Sequence, residues 1–356
     1  AANNTAVGSS SLACNTTGID NTAVGALSLD ANTTGSQNIA IGKCSLTANT
    51  TASNNVAAGH RSMETNTTGA ANVSIGEQTL RYNTTGSCNT AVGSNAGLNN
   101  TTANDNVAVG NVALKLNTTG ANNTALGAYS LQANTTGASN VAVGMGAAGA
   151  TTTGSDNTVV GAEAFDTNTT GTNNVAIGKL SLTANTTGEK NVAVGVFALE
   201  ANTSGAHNTG IGMCSLRAVT TAENNTAIGI RSGIAITDGL GNTVIGGGAG
   251  KNIVAGGGNT ILGSMKANGV YSPPHDTTGS ENDRIVIGST TSTNAYIKID
   301  WTVTSDLRDK MNIENVPHGL NFVNQLNPIK FNFKKDRDTE VAHGNKKYGF
   351  KAQDIL

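Results

Sequence analysis

Aromatic residues make up 3% of this 356-residue chain, proline occurs four times, and Asp, Glu, Lys and Arg together reach 12%. Each scarcity excludes something. A conventional globular core is built on large apolar and aromatic side chains, and here Ala, Val, Thr, Gly and Asn dominate instead. Disordered repeats are usually rich in proline or charge and lack phased Val and Ile, so disorder is disfavoured too. A formal net charge of −2 gives no electrostatic case for nucleic acid or an anionic membrane. No apolar run approaches the roughly 20 residues of a membrane span, so no membrane insertion is expected. The four cysteines show no metal-ligand spacing. The five histidines are scattered, and no phosphate loop or carboxylate pair stands out. No metal and no cofactor are expected. The chain has no initiator Met and no leader-like segment, and it stops at "GFKAQDIL". It is therefore read as a piece of a longer polypeptide.

What the chain has is a period. A Gly closes the string "NTAVG" or a variant at residues 8, 25, 42 and onward to 263, sixteen times at a spacing of 17. Four residues before each stands an Asn, from Asn4 to Asn259. Phase this strict makes each repeat one coil of a solenoid, because a loop-tolerant globular fold would let the spacing drift. We number positions within a coil from this Gly, as position 0.

Position 16 is apolar in all sixteen coils and position 15 is Ala in eleven, while position 14 is mostly Thr or Val. The triplet predicts a short strand with bulk on one side and Ala fitted into a tight space on the other. Position 4 is often Leu (Leu12, Leu29, Leu46), preceded by Ser, Ala or Thr, and predicts a second short strand. "NTTG", complete in eight coils, predicts a turn in which Gly permits positive φ and Asn and Thr bond nearby backbone. Asn-Thr-Thr is also a glycosylation sequon, but turn chemistry accounts for it. An ice-binding face would need a regular Thr-x-Thr array, which the strands do not carry.

The fold class expected is all-β: a parallel β-roll of sixteen 17-residue coils, probing about 75 Å end to end at the usual strand spacing. The position-13 Asn should form a ladder along it. Seventeen residues enclose only a thin core, and a lone roll would leave a Leu or Val face wet. A symmetric assembly, with three-fold symmetry the choice, would bury that face.

The pattern N-x-A-V/I-G-x-x-A/S-L resembles the head repeat of trimeric autotransporter adhesins, and more closely the same repeat in viral tail fibres. That resemblance implies a trimeric parallel β-roll. The adhesin coils are shorter than 17 residues, so it implies architecture and not register.

Composition changes after residue 263. The first 263 residues hold 21 of the 44 charged side chains; all four prolines and the only Trp lie beyond them. The domains expected are a shaft over 1–263, a transition segment over 264–304 and a further domain over 305–356. Ser305-Asp306-Leu307-Arg308-Asp309-Lys310, then Leu326, Pro328, Phe331 and Phe333, then Tyr348 to Asp354, resemble the start of the endosialidase-type intramolecular chaperone domain. In that family the domain trims itself after trimerisation. The resemblance implies Ser305 as nucleophile, Lys310 as its partner, Asp306 and Arg308 in support, and cleavage between Thr304 and Ser305. A Ser hydroxyl needs a neighbouring base, and a desolvated Lys can serve. The alternative reading is a helix start with Ser305 as N-cap and a solvated charged face.

The sequence thus predicts a structural and adhesive viral tail fibre, located on the virion tail or otherwise extracellular. Its expected partners are two further copies of itself, other tail proteins, and a host surface receptor or glycan. Single-turnover self-cleavage is the only enzymatic act expected. A cell-surface trimeric adhesin and the fibre of a contractile injection device are the alternatives.

Overall fold

A computed structural model describes residues 2–293, 328–334 and 342–349. It divides into two compact units, Ala1–Thr290 and Thr291–Leu356. The described residues contain strands and turns and no helix.

The first unit is the expected parallel solenoid. Sixteen three-residue strands, from β1 (Thr5–Val7) to β16 (Thr260–Leu262), recur once per coil, and β17 (Ile285–Ile287) adds a seventeenth after a longer excursion. Every strand pairs in parallel with its neighbours, residue for residue: Thr5 with Thr22, Ala6 with Ala23, Val7 with Val24, and so on to Thr260 with Ile285. Alternation along a strand explains the composition. The central Ala points inward and is fully buried at Ala23, Ala40, Ala57 and their equivalents, while its two neighbours face out.

The wall opposite the strands differs from expectation. Position 4 does not lie in a second strand. Positions 1–6 form a continuous run of turns, and positions 2 and 4 both adopt left-handed backbone, as at Leu27 (φ 57°) and Leu29 (φ 51°). A side chain with a Cβ loses of order 1–2 kcal/mol in that region. Regular bonding between coils offsets it. The Leu27 N–H donates back to Ser9 O at 2.9 Å and the Leu29 N–H donates forward to Ser45 O at 2.9 Å. The left-handed residues thereby turn the wall's N–H groups along the solenoid axis without a pleated strand. The position-4 Leu side chains point inward, against the Ala column, and Leu29, Leu46, Leu131 and Leu182 are fully buried. The face left wet is therefore Val and Ile, not Leu.

The core is one Leu thick, and its bulk moves between columns. In the coils that begin at Gly229 and Gly246, position 4 is Gly233 or Gly250. There Ile236 and Ile253 fill the interior from position 7, and Val244 and Ile261 from position 15. A Cβ added to Gly233 would meet the Leu216 and Ile236 methyl carbons at 2.9 and 3.0 Å. Bulk lost at one column is regained at another, as close packing requires.

Two Asn columns stitch the coils together. In the first, at position 13, the Asn140 N–H donates to Asn123 Oδ1 at 3.0 Å, and Asn123 Nδ2 donates to Gly137 O at 2.9 Å. The pattern repeats from Asn4 to Asn259, and Asn21 to Asn259 are buried throughout. The second column is the Asn of "NTTG". Asn32 Nδ2 donates to Asn15 Oδ1 and to Gly35 O, both at 2.9 Å, and Asn49 Nδ2 donates in turn to Asn32 Oδ1 at 3.0 Å. The turn Asn thus carries an amide ladder between coils, in addition to its local turn bond. From Asn32 onward the side chains of this column are buried and their Nδ2 groups already bonded, so these buried sequons offer no site for a glycan in the folded chain.

In the second unit the described elements are β18 (Ile329–Lys334) and β19 (Ala342–Gly349), which pair antiparallel with Ile329 opposite Gly349 and an irregularity between Phe331 and Phe333.

Candidate functional site

The solenoid unit spreads its described side chains along long, repetitive faces. Its functional surfaces are its long faces and its C-terminal end.

The strand face is an apolar stripe. Positions 14 and 16 point outward on every coil, and their exposed Ile, Val and Leu side chains run from Val7 to Ile287. Ile41, Ile75 and Leu126 are 44–47% exposed. Soluble monomers rarely present a continuous apolar surface of this length, and such surfaces mark contacts with other molecules.

The opposite wall is charged. At position 5, Arg81 Nε pairs with Glu64 Oε2 at 2.6 Å, and the Arg217 guanidinium pairs with Glu200 in the same way. Each Arg also lies over an aromatic ring, Arg81 at 4.9 Å from the centre of Tyr82 and Arg217 at 5.1 Å from that of Phe197. The Glu200 carboxylate raises the Arg217 pKa further, so that side chain is charged at every accessible pH. Burial and the nearby Glu163 push the Asp166 carboxyl above its usual range.

The C-terminal end is closed by residues 264–284, the excursion before β17. Tyr271 donates from its hydroxyl to Asp276 Oδ1 at 3.0 Å, and Lys251 Nζ sits 4.1 Å over its ring. Burial and the Asp276 carboxylate push the Tyr271 phenol well above its ordinary value, so it stays protonated. His275 Nε2 lies 3.0 Å from Glu281 Oε2. That bond and the Thr278 N–H hold the Glu281 carboxyl below the usual carboxylate range. These contacts, with the bridges Ile253–Gly279 and Met265–Tyr271, tie the excursion to the last coils and lead the chain back to β17, which pairs with β16.

The side chains at position 2 stand on the outer surface on left-handed backbone, as in Arg61, Gln78, Tyr129, Phe197 and Arg231. Cys14 and Cys88 are exposed, Cys44 is half-buried and Cys214 is buried, all as free thiols. Among the described residues no three His, Cys, Asp or Glu side chains gather as a metal site would need.

Ser305, Asp306, Arg308 and Lys310, together with Thr304, lie outside the described residues. Of the downstream motif, Phe331 and Phe333 fall on β18, and Tyr348 and Gly349 on β19. Comparison with known families places residues 305–356 in a match to the family described as the chaperone of endosialidase. No curated protein and no solved structure matches the chain. The match begins at Ser305 and covers the segment singled out by its motifs. The chain thus carries a parallel solenoid followed by a segment that matches the chaperone-of-endosialidase family, an arrangement that fits a fibre-like protein.

Proposed function

We propose that the chain is the shaft of a trimeric viral tail fibre, with a C-terminal chaperone that aligns three copies and then cuts itself away. The observation that carries this reading is a long solenoid with a continuous apolar stripe, followed by residues 305–356 with their chaperone match. Three stripes turned to a common axis would be removed from water together. A near-uniform repeat specifies register weakly, since a shift by one coil re-forms most of the same contacts. A terminal domain that trimerises first supplies the register the repeat lacks. Work at a host envelope, through the tip or the side of the fibre, follows from this placement, with a host receptor or glycan and other tail proteins as partners. The chaperone match favours the tail fibre over a cell-surface adhesin.

The test is mass spectrometry of the complete gene product, native and denaturing, with and without Ser305→Ala. A trimer whose wild-type chains end at Thr304, with the variant intact, is the expected result. A wild-type chain left whole would remove the cleavage step, and a monomer would remove the trimer. The stripe makes a separate prediction. Ile177→Asp together with Ile211→Asp, on the outward face of two central coils, should abolish the trimer in size-exclusion chromatography with light scattering. The outward position should leave the strand circular dichroism of each chain intact.

A further inference from the structure

The solenoid contains a second, longer period. Read down position 5, the wall presents Asp30, Thr47, Glu64, Arg81, Leu98 and Lys115 in six successive coils. Eight coils after each of these, the same column presents Asp166, Thr183, Glu200, Arg217, Ile234 and Lys251. Five of these six pairs are identical, and the sixth exchanges Leu for Ile. The same coil pairs share no residue at position 2, where Leu27, Cys44 and Arg61 face Glu163, Leu180 and Phe197. They share none at position 12 either, from Gln37 against Asn173 to Asn122 against Gly258. Positions 2 and 12 are surface columns on left-handed backbone that tolerate any side chain. Position 5 is partly exposed in the same coils, yet its chemistry is kept in order.

The kept order is complementary to its own reverse. Place a second copy antiparallel against this wall, with the midpoint between Gln132 and Gly149 as the two-fold centre. Asp30 then faces Lys251, Glu64 faces Arg217, Arg81 faces Glu200 and Lys115 faces Asp166, with Thr47 opposite Ile234 and Leu98 opposite Thr183. Two identical solenoids have the same rise per coil, so all rungs come into register at once. The two-fold then repeats every pair. A parallel arrangement, in register or shifted by eight coils, would instead set Asp on Asp and Arg on Arg, which opposes it.

We infer that the position-5 wall is a contact surface for a second copy of this chain, running antiparallel and overlapping the full length of the solenoid. Two contacts within the chain fit this use. The Glu64–Arg81 and Glu200–Arg217 pairs already stand side by side, so across the two-fold they complete a checkerboard in which each charge has two opposite neighbours. The wall faces away from the strand stripe, so this contact adds to assembly through the stripe and does not compete with it.

Partly exposed ion pairs are individually weak and screened by salt. The contact should therefore form at about 0.01 M salt and dissolve at about 1 M, where the screening length falls from about 30 to about 3 Å. Sedimentation equilibrium of the full chain should show association at low salt that reverses at high salt: a doubled mass for a species with one wall, and larger multiples for the proposed trimer, which carries three. Glu64→Arg with Arg81→Glu reverses one block and keeps its internal ion pair, but sets like charges against each other across the two-fold. That variant should keep the high-salt mass at both salt concentrations. Adding Glu200→Arg with Arg217→Glu reverses both blocks and should restore the low-salt association. A zero-length carbodiimide cross-link between Asp30 and Lys251 in the wild type gives a readout free of any variant. The two residues are thirteen coils apart within one chain, about 62 Å at the usual spacing, so such a link can only join two chains. The inference is overturned by a wild-type mass unaffected by salt, by low-salt association that survives reversal of one block, or by absence of the Asp30–Lys251 link in the low-salt species.

Discussion

Asn123→Ala should destabilise the solenoid by about 3–5 kcal/mol, from one exchange in a chain with many Asn residues. The estimate comes from the two buried groups that the substitution orphans. The Asn140 N–H loses its acceptor, Asn123 Oδ1, and Gly137 O loses its donor, Asn123 Nδ2. Each buried polar group left unpaired costs about 1–3 kcal/mol, and no water reaches the interior to replace the amide. Chemical denaturation should show a lower midpoint. Hydrogen exchange should show the loss centred on the Asn140 amide and on the coils to either side of it. Thr119→Ala, on an exposed turn of the same coil, should stay within about 0.5 kcal/mol of the wild type.

A second large effect is expected at position 0. Gly127 has φ 136°, a region that L side chains rarely adopt, and a Cβ there would lie 2.5 Å from Gly144 O in the next coil. The obstacle is backbone, and the next coil presents the same obstacle to the one after it, so neither can shift without breaking strand pairing. Gly127→Ala should cost more than about 4 kcal/mol, the range reserved for a named steric failure. Because each coil touches only its neighbours, the damage should divide the unfolding curve into two transitions, one for the coils before Gly127 and one for those after. Gly146→Ala is the control. Gly146 also has positive φ (65°), but it stands at position 2, where Tyr129 and Phe197 adopt nearly the same backbone, and an added Cβ would find its nearest atom at 3.7 Å. Its cost should be about 1–2 kcal/mol.

Much of this fold could be read from the chain because the repeat acts as its own alignment. The 17-residue spacing of Gly8 to Gly263 gives the coil, and the fixed Asn four residues earlier gives the inter-coil ladder. The Ala at position 15 gives the thin interior. The second strand was read wrongly for a physical reason. Leu at position 4 has no intrinsic preference for left-handed backbone, and only the regular bonds to coils on both sides make φ near 50° acceptable. Local propensity contains no trace of those bonds. The second Asn ladder could have been found. Asn15, Asn32 and Asn49 recur in the same phase as the position-13 Asn, and any residue in phase in a solenoid stacks on its equivalents. Reading "NTTG" as a local turn hid that. The 136-residue period of the position-5 column also lies in plain sequence, but it gains meaning only once that column is known to face outward. The segment expected to cleave itself is the opposite case. The roles of Ser305 and Lys310 rest on motif order and resemblance alone, because no repeat brackets them and the family match covers their residues without assigning them a role.

The direction of the bonds has a mechanical consequence. Every bond between coils runs along the solenoid axis, whereas within a coil the chain runs around it. A load that draws one end of the chain away from the stack therefore works on the bonds of one coil at a time. Each coil that yields releases 17 residues, or about 55 Å of contour at 3.3 Å per residue, in exchange for about 4.8 Å of stacked height. The shaft would lengthen in discrete, nearly equal increments while the coils beneath stay closed, and each would re-form on its neighbour when the load falls. A fibre built this way would dissipate a sudden pull along its own length.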